Sequence, residues 1–289
     1  MKTGFSRRSS FIIVGAVYIL AAAVGVGVYL LLPELWGFWL RLLIADVAAT
    51  VTTFIFSLIF KNASVYDPYW SVQPMVIILG FMVGQRVTPL KLLLTLAILS
   101  WGIRLTANWA YTFKSLAHED WRYRMLAKKT GKAYPLVNFV GIHLVPTLVV
   151  YLCTLPAVAL VMSGAEGNIL SYLALVISLG AATMQGIADI QMHRFRKRAS
   201  GGFIRDGLWK NSRHPNYLGE ILMWWGIGIC AVTALGAPYA YLLVGAAANT
   251  ALFLFVSIPL AEGKQAKKEG YAEYKAQTRS LLPIAKKIK

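Results

Sequence analysis

Apolar residues in this chain come in long runs rather than in alternation. Runs at 11–32, 38–60, 89–113, 139–162, 168–192, 217–234 and 237–259 are each apolar and long enough to cross a bilayer as a helix, which takes about 17–25 residues. A shorter apolar segment at 72–85 is either an eighth crossing or a re-entrant piece. Pro33, the segment 164–167 and Gly236-Ala237-Pro238 supply the breaks between runs. No internal repeat and no second, soluble domain interrupts the pattern. The expected fold is all-α: a polytopic membrane helix bundle of eight transmembrane helices, or seven if 72–85 is re-entrant. The first run, with Arg7 and Arg8 before it, has the order of a signal peptide. It is about 22 residues long, however, against roughly 7–15 for the apolar part of a signal, so it is read as a retained helix.

Composition agrees with the pattern, and charge orients it. The 289 residues are 57% hydrophobic and only 14% charged, with a mean hydropathy of +0.59; soluble domains carry about 25% charged residues. A net charge of +17 could point to nucleic acid, but the basic residues fall between the apolar runs, which is a topology signal. With eight crossings, every basic residue except Arg41, Arg86, Lys91 and Arg104 falls on one side together with both termini. By the positive-inside rule that side is cytoplasmic. Seven crossings would put Lys2, Arg7 and Arg8 on the far side. Cys153 and Cys230 both lie inside apolar runs, so neither a disulfide framework nor a metal cluster is expected.

Polar residues inside apolar runs are expensive and need a reason. Gln185, Asp189, His193 and Arg196 are spaced four, four and three and share one helical stripe. If Asp189 is only structural, its partner is Arg196 or His193. After the turn Gly201-Gly202 and the segment Arg205-Asp206-Gly207-Leu208-Trp209, the string Arg213-His214-Pro215-Asn216-Tyr217-Leu218-Gly219-Glu220 opens the next run. Pro215 suits a first helical turn, and Asn216, Glu220 and Trp224 fall on one face. In the first half, Arg104, Asn108 and Tyr111 form a second stripe, where Arg104 has Asp46 as a structural partner to pair with. Tyr66-Asp67-Pro68-Tyr69-Trp70 makes a polar aromatic knot at a helix end.

These motifs together resemble the steroid 5-alpha-reductase-type membrane superfamily, and within it a bacterial branch usually grouped with it. The resemblance runs through Ala188-Asp189, Arg194-Phe195-Arg196, Gly207-Leu208-Trp209, Ser212 to Glu220, Trp224-Trp225-Gly226, Gly270-Tyr271, Tyr274 and Leu281-Leu282-Pro283, with Asn62 to Ser71 in the first half. It implies an NADPH cleft opening to the cytoplasm between the C-terminal helices. By position in the motifs, Asp189, Arg196, Asn216, Glu220, Tyr271 and Tyr274 are the expected cofactor contacts, with Arg213, His214 and Tyr217 of the same string beside them. Arginine suits phosphate through its bidentate fork. Isoprenylcysteine and phospholipid methyltransferases carry a similar string and bind S-adenosylmethionine. They usually have paired glutamates before the tail, where this chain has Ala261-Glu262-Gly263.

The expected function is therefore an NADPH-dependent reductase of a conjugated lipid carbonyl, steroid-like or isoprenoid, an oxidoreductase acting on CH–CH groups. The alternatives are an S-adenosylmethionine-dependent methyltransferase and a non-enzymatic lipid-binding protein. Residues 1–138 would form the substrate side and 139–289 the cofactor-binding half of a single membrane domain. Hydride transfer to an enone needs a proton or hydrogen-bond donor at the carbonyl oxygen. Tyr66, Asp67, Arg104 and Tyr111 are the catalytic candidates for that role. The expected partners are the lipid bilayer and a small hydrophobic substrate, without nucleic acid, in a bacterial inner membrane.

Overall fold

The computed structural model describes residues 5–198 and 201–284. The α-helices of seven residues or more are α1 (Arg7–Leu31), α2 (Gly37–Ile59), α3 (Tyr69–Met82), α4 (Pro89–Thr112), α5 (Trp121–Thr130), α6 (Val145–Met162), α7 (Ile169–Arg198), α8 (Pro215–Leu235), α9 (Val244–Leu252), α10 (Ile258–Gln265) and α11 (Tyr271–Gln277). Two π-helical segments, Asn138–Leu144 and Phe253–Ser257, precede α6 and α10. Local chemistry sets several ends. The Ser6 hydroxyl caps α1 by accepting from the Ser9 amide at 3.1 Å. Pro215 occupies the first turn of α8, and Gly236 ends it at φ 102°, a conformation that favours glycine. Among the described residues the only bridge between extended segments joins Ser212 to Arg279.

This is a polytopic all-α membrane bundle. Among the described residues seven helical runs are long and apolar enough to cross a bilayer: Arg7–Leu31, Glu34–Ile59, Pro89–Thr112, Trp121–Met162, Ile169–Arg198, Pro215–Leu235 and Ala237–Gln265. The segment expected at 72–85 is part of α3, which has only 14 residues. At 1.5 Å per residue that is about 21 Å, short of a hydrocarbon core about 30 Å thick. The even number of crossings that the charge pattern asks for thus rests on one short helix. Large apolar side chains point outward along the long helices, among them Ile12, Ile19, Leu30, Val176, Ile177 and Phe255. In water such faces would be a liability; in lipid they cost nothing.

The chain forms two compact units, Met1–Gly80 with Leu105–Leu155, and Phe81–Arg104 with Pro156–Lys289. Helices α3, α4 and α6 each begin in one unit and end in the other. In the first unit, α1 meets α2 through small residues: a Cβ on Gly25 would lie 3.3 Å from the Ala45 carbonyl oxygen and 3.4 Å from the Ala49 Cβ. The Asn62 to Asp67 segment is tied to the loop before α5. Asn62 caps the turn Ala63–Tyr66 by accepting from the Ser64 amide, and its Nδ2 donates to the Leu116 carbonyl at 2.7 Å. The Ser64 hydroxyl accepts from the Asp120 amide at 2.9 Å, and Glu119 accepts from the Ala63 amide at 3.0 Å. Tyr66, Tyr69 and Tyr123 lie at the centre of the core this creates.

In the second unit α7 and α8 approach so closely that two positions on α8 have room only for glycine. A Cβ on Gly219 would stand 2.4 Å from the Gln185 Cγ and 2.7 Å from the Ala181 carbonyl oxygen. A Cβ on Gly226, two turns further along, would stand 2.1 Å from the Ser178 Oγ and 2.7 Å from the Ala174 carbonyl oxygen. Lipid supplies no hydrophobic drive between helices, so close backbone approach and interhelical hydrogen bonds hold them; the Ser178 hydroxyl donates to the Met223 carbonyl at 3.1 Å. Overpacking of this kind costs about 1–3 kcal/mol. Gly226→Val is accordingly expected to lower the melting temperature of the purified protein. Gly180→Ala on α7, where nothing lies within 4 Å of the added carbon, is expected to leave it unchanged or raise it.

Candidate functional site

The close packing of α7 on α8 sets two polar stripes face to face. Glu220 on α8 is 3% exposed. Its Oε2 accepts from the Trp101 indole N–H at 2.7 Å and from the Gln185 Nε2 at 2.7 Å, and its Oε1 accepts from the Trp224 indole at 2.8 Å. The indoles of Trp101 and Trp224 meet edge to face at 4.8 Å. Arg104, one turn beyond Trp101 on α4, donates to Asp189 at 2.5 Å and to the Gln185 Oε1 at 2.8 Å. A Cβ on Gly186 would stand in ordinary contact with the Arg104 side chain, at 3.4 Å. Gln185 therefore links Glu220 to Arg104, which in turn bonds Asp189, and among the described residues Arg104 is the one cation hydrogen-bonded into the network. The Arg104–Asp189 pair is partly buried, its side chains 17% and 15% exposed, so breaking it from one side costs less than the about 3–5 kcal/mol of a fully buried pair.

The expected partners of Asp189 and Arg104 are corrected by this geometry: Asp189 bonds to Arg104 rather than to Arg196 or His193, and Arg104 bonds to Asp189 rather than to Asp46. Arg196 is exposed at the C-terminal end of α7, beside Arg194, Lys197 and Arg198. Asn216 is half-buried; its carbonyl accepts from Gln185 at 3.2 Å, while its side-chain Oδ1 is buried with no protein partner. Trp101 was not singled out from the sequence. It sits three residues before Arg104, so the face of the polar stripe on α4 already contained it.

The rest of the string is occupied in holding the tail. Arg213 pairs with Glu262 at 2.6 Å and donates to the carbonyls of Thr278 and Lys275. Its amide and that of His214 donate to the Arg279 and Ser280 carbonyls, both at 3.0 Å. His214 Nε2 reaches Glu262 at 3.3 Å, and Lys275 reaches the other oxygen of that carboxylate at 2.7 Å. The Tyr274 hydroxyl donates to the carbonyl of Trp209, and its ring lies against Phe203, as does that of Tyr271. Tyr217 stacks on the His214 imidazole at 5.1 Å. Arg213 and His214 thus spend their polar atoms on a clasp around Glu262, and Tyr274 spends its hydroxyl on the backbone at Trp209. That glutamate is the hub which sequence reading left without a role.

Of the catalytic candidates, Arg104 belongs to the second unit, and Tyr66, Asp67 and Tyr111 to the first. The Tyr66 hydroxyl is buried and hydrogen-bonded to Thr147 at 2.8 Å. Asp67 accepts from the Tyr123 hydroxyl at 2.6 Å. Burial raises its carboxyl to about 6, against the opposing pull of Arg122 and the Tyr123 bond. Tyr111 is 53% exposed, unlike the buried Tyr66.

Burial holds the His214 imidazole down at about 4, although Glu262 pulls it upward. A histidine depressed below its usual 6.5 stabilises the native clasp fully above pH 6.5, and that contribution is lost as pH falls towards 4. Asp67, raised from 3.8 to about 6, has the opposite sign: its contribution is lost as pH rises through the same window. A local readout separates the two. Limited proteolysis of the tail after Gly270 is expected to accelerate between pH 6.5 and 4, and His214→Gln is expected to flatten that dependence; an unchanged profile in the variant contradicts the assignment.

Three comparisons bear on what this arrangement belongs to. An uncharacterised protein of Schizosaccharomyces pombe is 26% identical over 194 residues, covering 57% of this chain and 56% of that protein. The chain thus spans a little over half of that relative's length. No solved structure matches. Residues 53–278, from the end of α2 through the Arg213 string to the tail clasp, match the family described as protein of unknown function DUF1295, and the chain belongs to that family.

Proposed function

We propose that the chain is an integral membrane reductase that uses NADPH to reduce a conjugated carbonyl of a lipid-like substrate, as the likeness to steroid 5-alpha-reductase-type proteins implies. One observation carries the reading: a buried polar network on α4, α7 and α8 leaves unsatisfied atoms, and α7 ends in exposed arginines. The Asn216 Oδ1 lacks a donor and the Arg104 Nε lacks an acceptor. A carboxamide or ribose hydroxyl can complete both, since each offers donor and acceptor. Arg196 and Arg194, exposed at the cationic end of α7, suit phosphate oxygens. The residues present therefore fit a dinucleotide.

When bound, that group supplies the hydride. This chain's residues do the rest. Asn216 and Arg196 would hold the group. Asp189, Gln185, Arg104 and Glu220 fix one another in a single arrangement and so pre-shape the wall against which it lies. Arg213, His214, Tyr217, Tyr271 and Tyr274 act one layer out: they fasten the tail over the string that carries Asn216. The substrate is an apolar molecule that partitions into the bilayer, in keeping with the lipid-exposed faces of the bundle.

A second reading, an S-adenosylmethionine-dependent methyltransferase, has one observation in its favour. Asp189 and Glu220 lie in one network with a single bonded cation, Arg104, and a pair of carboxyl groups suits a sulfonium. The single Glu262, committed to Arg213, His214 and Lys275, speaks against it. Thermal-shift measurements separate the two. At 100 times its Kd a ligand stabilises by about 2.7 kcal/mol, so NADPH is expected to raise the melting temperature by several degrees and S-adenosylmethionine to leave it unchanged. Asn216→Ala is expected to lose the NADPH shift without lowering the baseline. Protection by S-adenosylmethionine instead defeats the reductase reading.

A further inference from the structure

Helix α5 has two apolar faces, and the core of the first unit takes only one of them. On the inner face the Tyr123 hydroxyl donates to Asp67 at 2.6 Å, and Leu126 packs on the core around Tyr66 and Tyr69. The Asp120 side chain caps the helix by accepting from the Arg122 amide at 2.8 Å, while the Asp120 amide donates to the Ser64 hydroxyl. The helix is thus fastened from one side to the segment Asn62 to Asp67. On the outer face Trp121 and Met125, four residues apart, form a ridge. Met125 is 38% exposed and Trp121 is half-buried. At 3.6 residues per turn, Arg124 and Lys128 run along one flank of this ridge and Arg122 and Lys129 along the other.

Topology alone accounts for the cations but not for the ridge between them. Arg122 is paired with Asp120 at 2.8 Å. Arg124, Lys128 and Lys129 are exposed and in no ion pair among the described residues. An apolar ridge flanked by free cations suits neither bulk water nor a hydrocarbon core. A bilayer surface takes both parts: apolar side chains enter the boundary between headgroups and acyl chains, while cationic tips reach the phosphates. The path of the chain agrees. The π-helical segment before α6 and α6 itself, of 7 and 18 residues, suffice for a crossing, so α5 is not needed in the core. Gly131, at φ 52°, and Pro135 turn the chain between the two. Beyond that turn Leu136 is 66% exposed, so apolar surface continues towards the crossing.

We propose that α5 is an interfacial helix whose outer face binds the headgroups of anionic phospholipids. Arg124, Lys128 and Lys129 meet the phosphates, and Trp121 and Met125 lie at the boundary with the acyl chains. Charge complementarity makes the partner anionic. The two carboxylates of this stretch are already engaged, Glu119 with the Ala63 amide and Asp120 with Arg122, so neither offsets the three free cations. The basic side is also the one that the positive-inside rule makes cytoplasmic, where anionic lipids give the leaflet a negative surface potential. Binding there reaches further than the helix itself. The inner face of α5 holds Asp67 and Ser64, so a headgroup that binds the folded form stabilises the Asn62 to Asp67 arrangement by mass action. The inference is independent of the reductase reading.

The test is native mass spectrometry of the full chain in neutral detergent, offered equal amounts of phosphatidylglycerol and phosphatidylcholine with the same acyl chains. The bound lipid is expected to be enriched in phosphatidylglycerol. One cation near an anionic surface contributes about fivefold, so the triple variant Arg124→Gln, Lys128→Gln and Lys129→Gln is expected to lose at least about tenfold of that enrichment. The triple variant Lys114→Gln, Lys210→Gln and Lys267→Gln removes the same charge from exposed positions elsewhere and is expected to keep most of it. Both change only exposed side chains, which leaves folding intact. No enrichment in the wild type, or equal loss in the two variants, overturns the proposal. A spin label on Met125→Cys in phosphatidylcholine–phosphatidylglycerol vesicles tests the ridge separately, since Cys153 and Cys230 are free and buried. The label is expected to be more accessible to oxygen than to a water-soluble nickel chelate. The reverse order puts the ridge in water, open to a soluble acidic partner, and overturns the proposal as well.

Discussion

A carboxylate inside a membrane helix has to be given donors, because lipid offers none and the cost of leaving it bare is several kcal/mol. Glu220 meets that requirement with two indoles and a carboxamide. Much of the second unit follows from it. Gln185 can reach Glu220 only because Gly219 lets α8 close upon α7, and the same Gln185 steadies Arg104, which in turn neutralises Asp189. Each bond is made by a group that is itself held by another, so the network has one arrangement rather than several. A site that must present a wall of fixed polarity to a cofactor needs that property more than it needs stability.

A different division of labour emerges along the Arg213 string. Its early residues, read as cofactor contacts by position in a motif, are fastened to Glu262 and to the backbone at 278–280. The later residues, Asn216 and Glu220, face the α7 network. The string is therefore a hinge between two tasks: one end closes the tail, the other shapes the proposed site. This separates direct effects from indirect ones. Loss of Asn216 removes a group with nothing else to do, whereas loss of Arg213 first releases the tail.

Much of the fold was legible because lipid simplifies the rules: runs of apolar residues become helices, and Pro and Gly end them. The helix starts at Pro215 and the break at Gly236 were readable for that reason. The segment at 72–85 was legible as a short apolar piece but not its start at Tyr69, because apolarity alone does not report where a helix begins; Asn62 and Ser64 set the turn that precedes α3 by bonding to a loop more than 50 residues away. The stripes on α7 and α8 were visible through their spacing. Their partners were not, since spacing says which residues share a face but not which helix that face meets. Asp189 found Arg104 on α4, and Glu220 found Trp101, through contacts more than 80 residues apart in sequence. Thr147, which bonds Tyr66, was invisible for another reason: a threonine in a membrane helix is unremarked until its neighbours are known.

The account turns on whether the α7–α8 wall holds a nicotinamide dinucleotide. Native mass spectrometry of the protein released gently from membranes tests this most directly, because it weighs what the site retains. The prediction is an added mass equal to one NADP(H) per chain, absent from Asn216→Ala. Retention of S-adenosylmethionine or its demethylated product in the same experiment would contradict it.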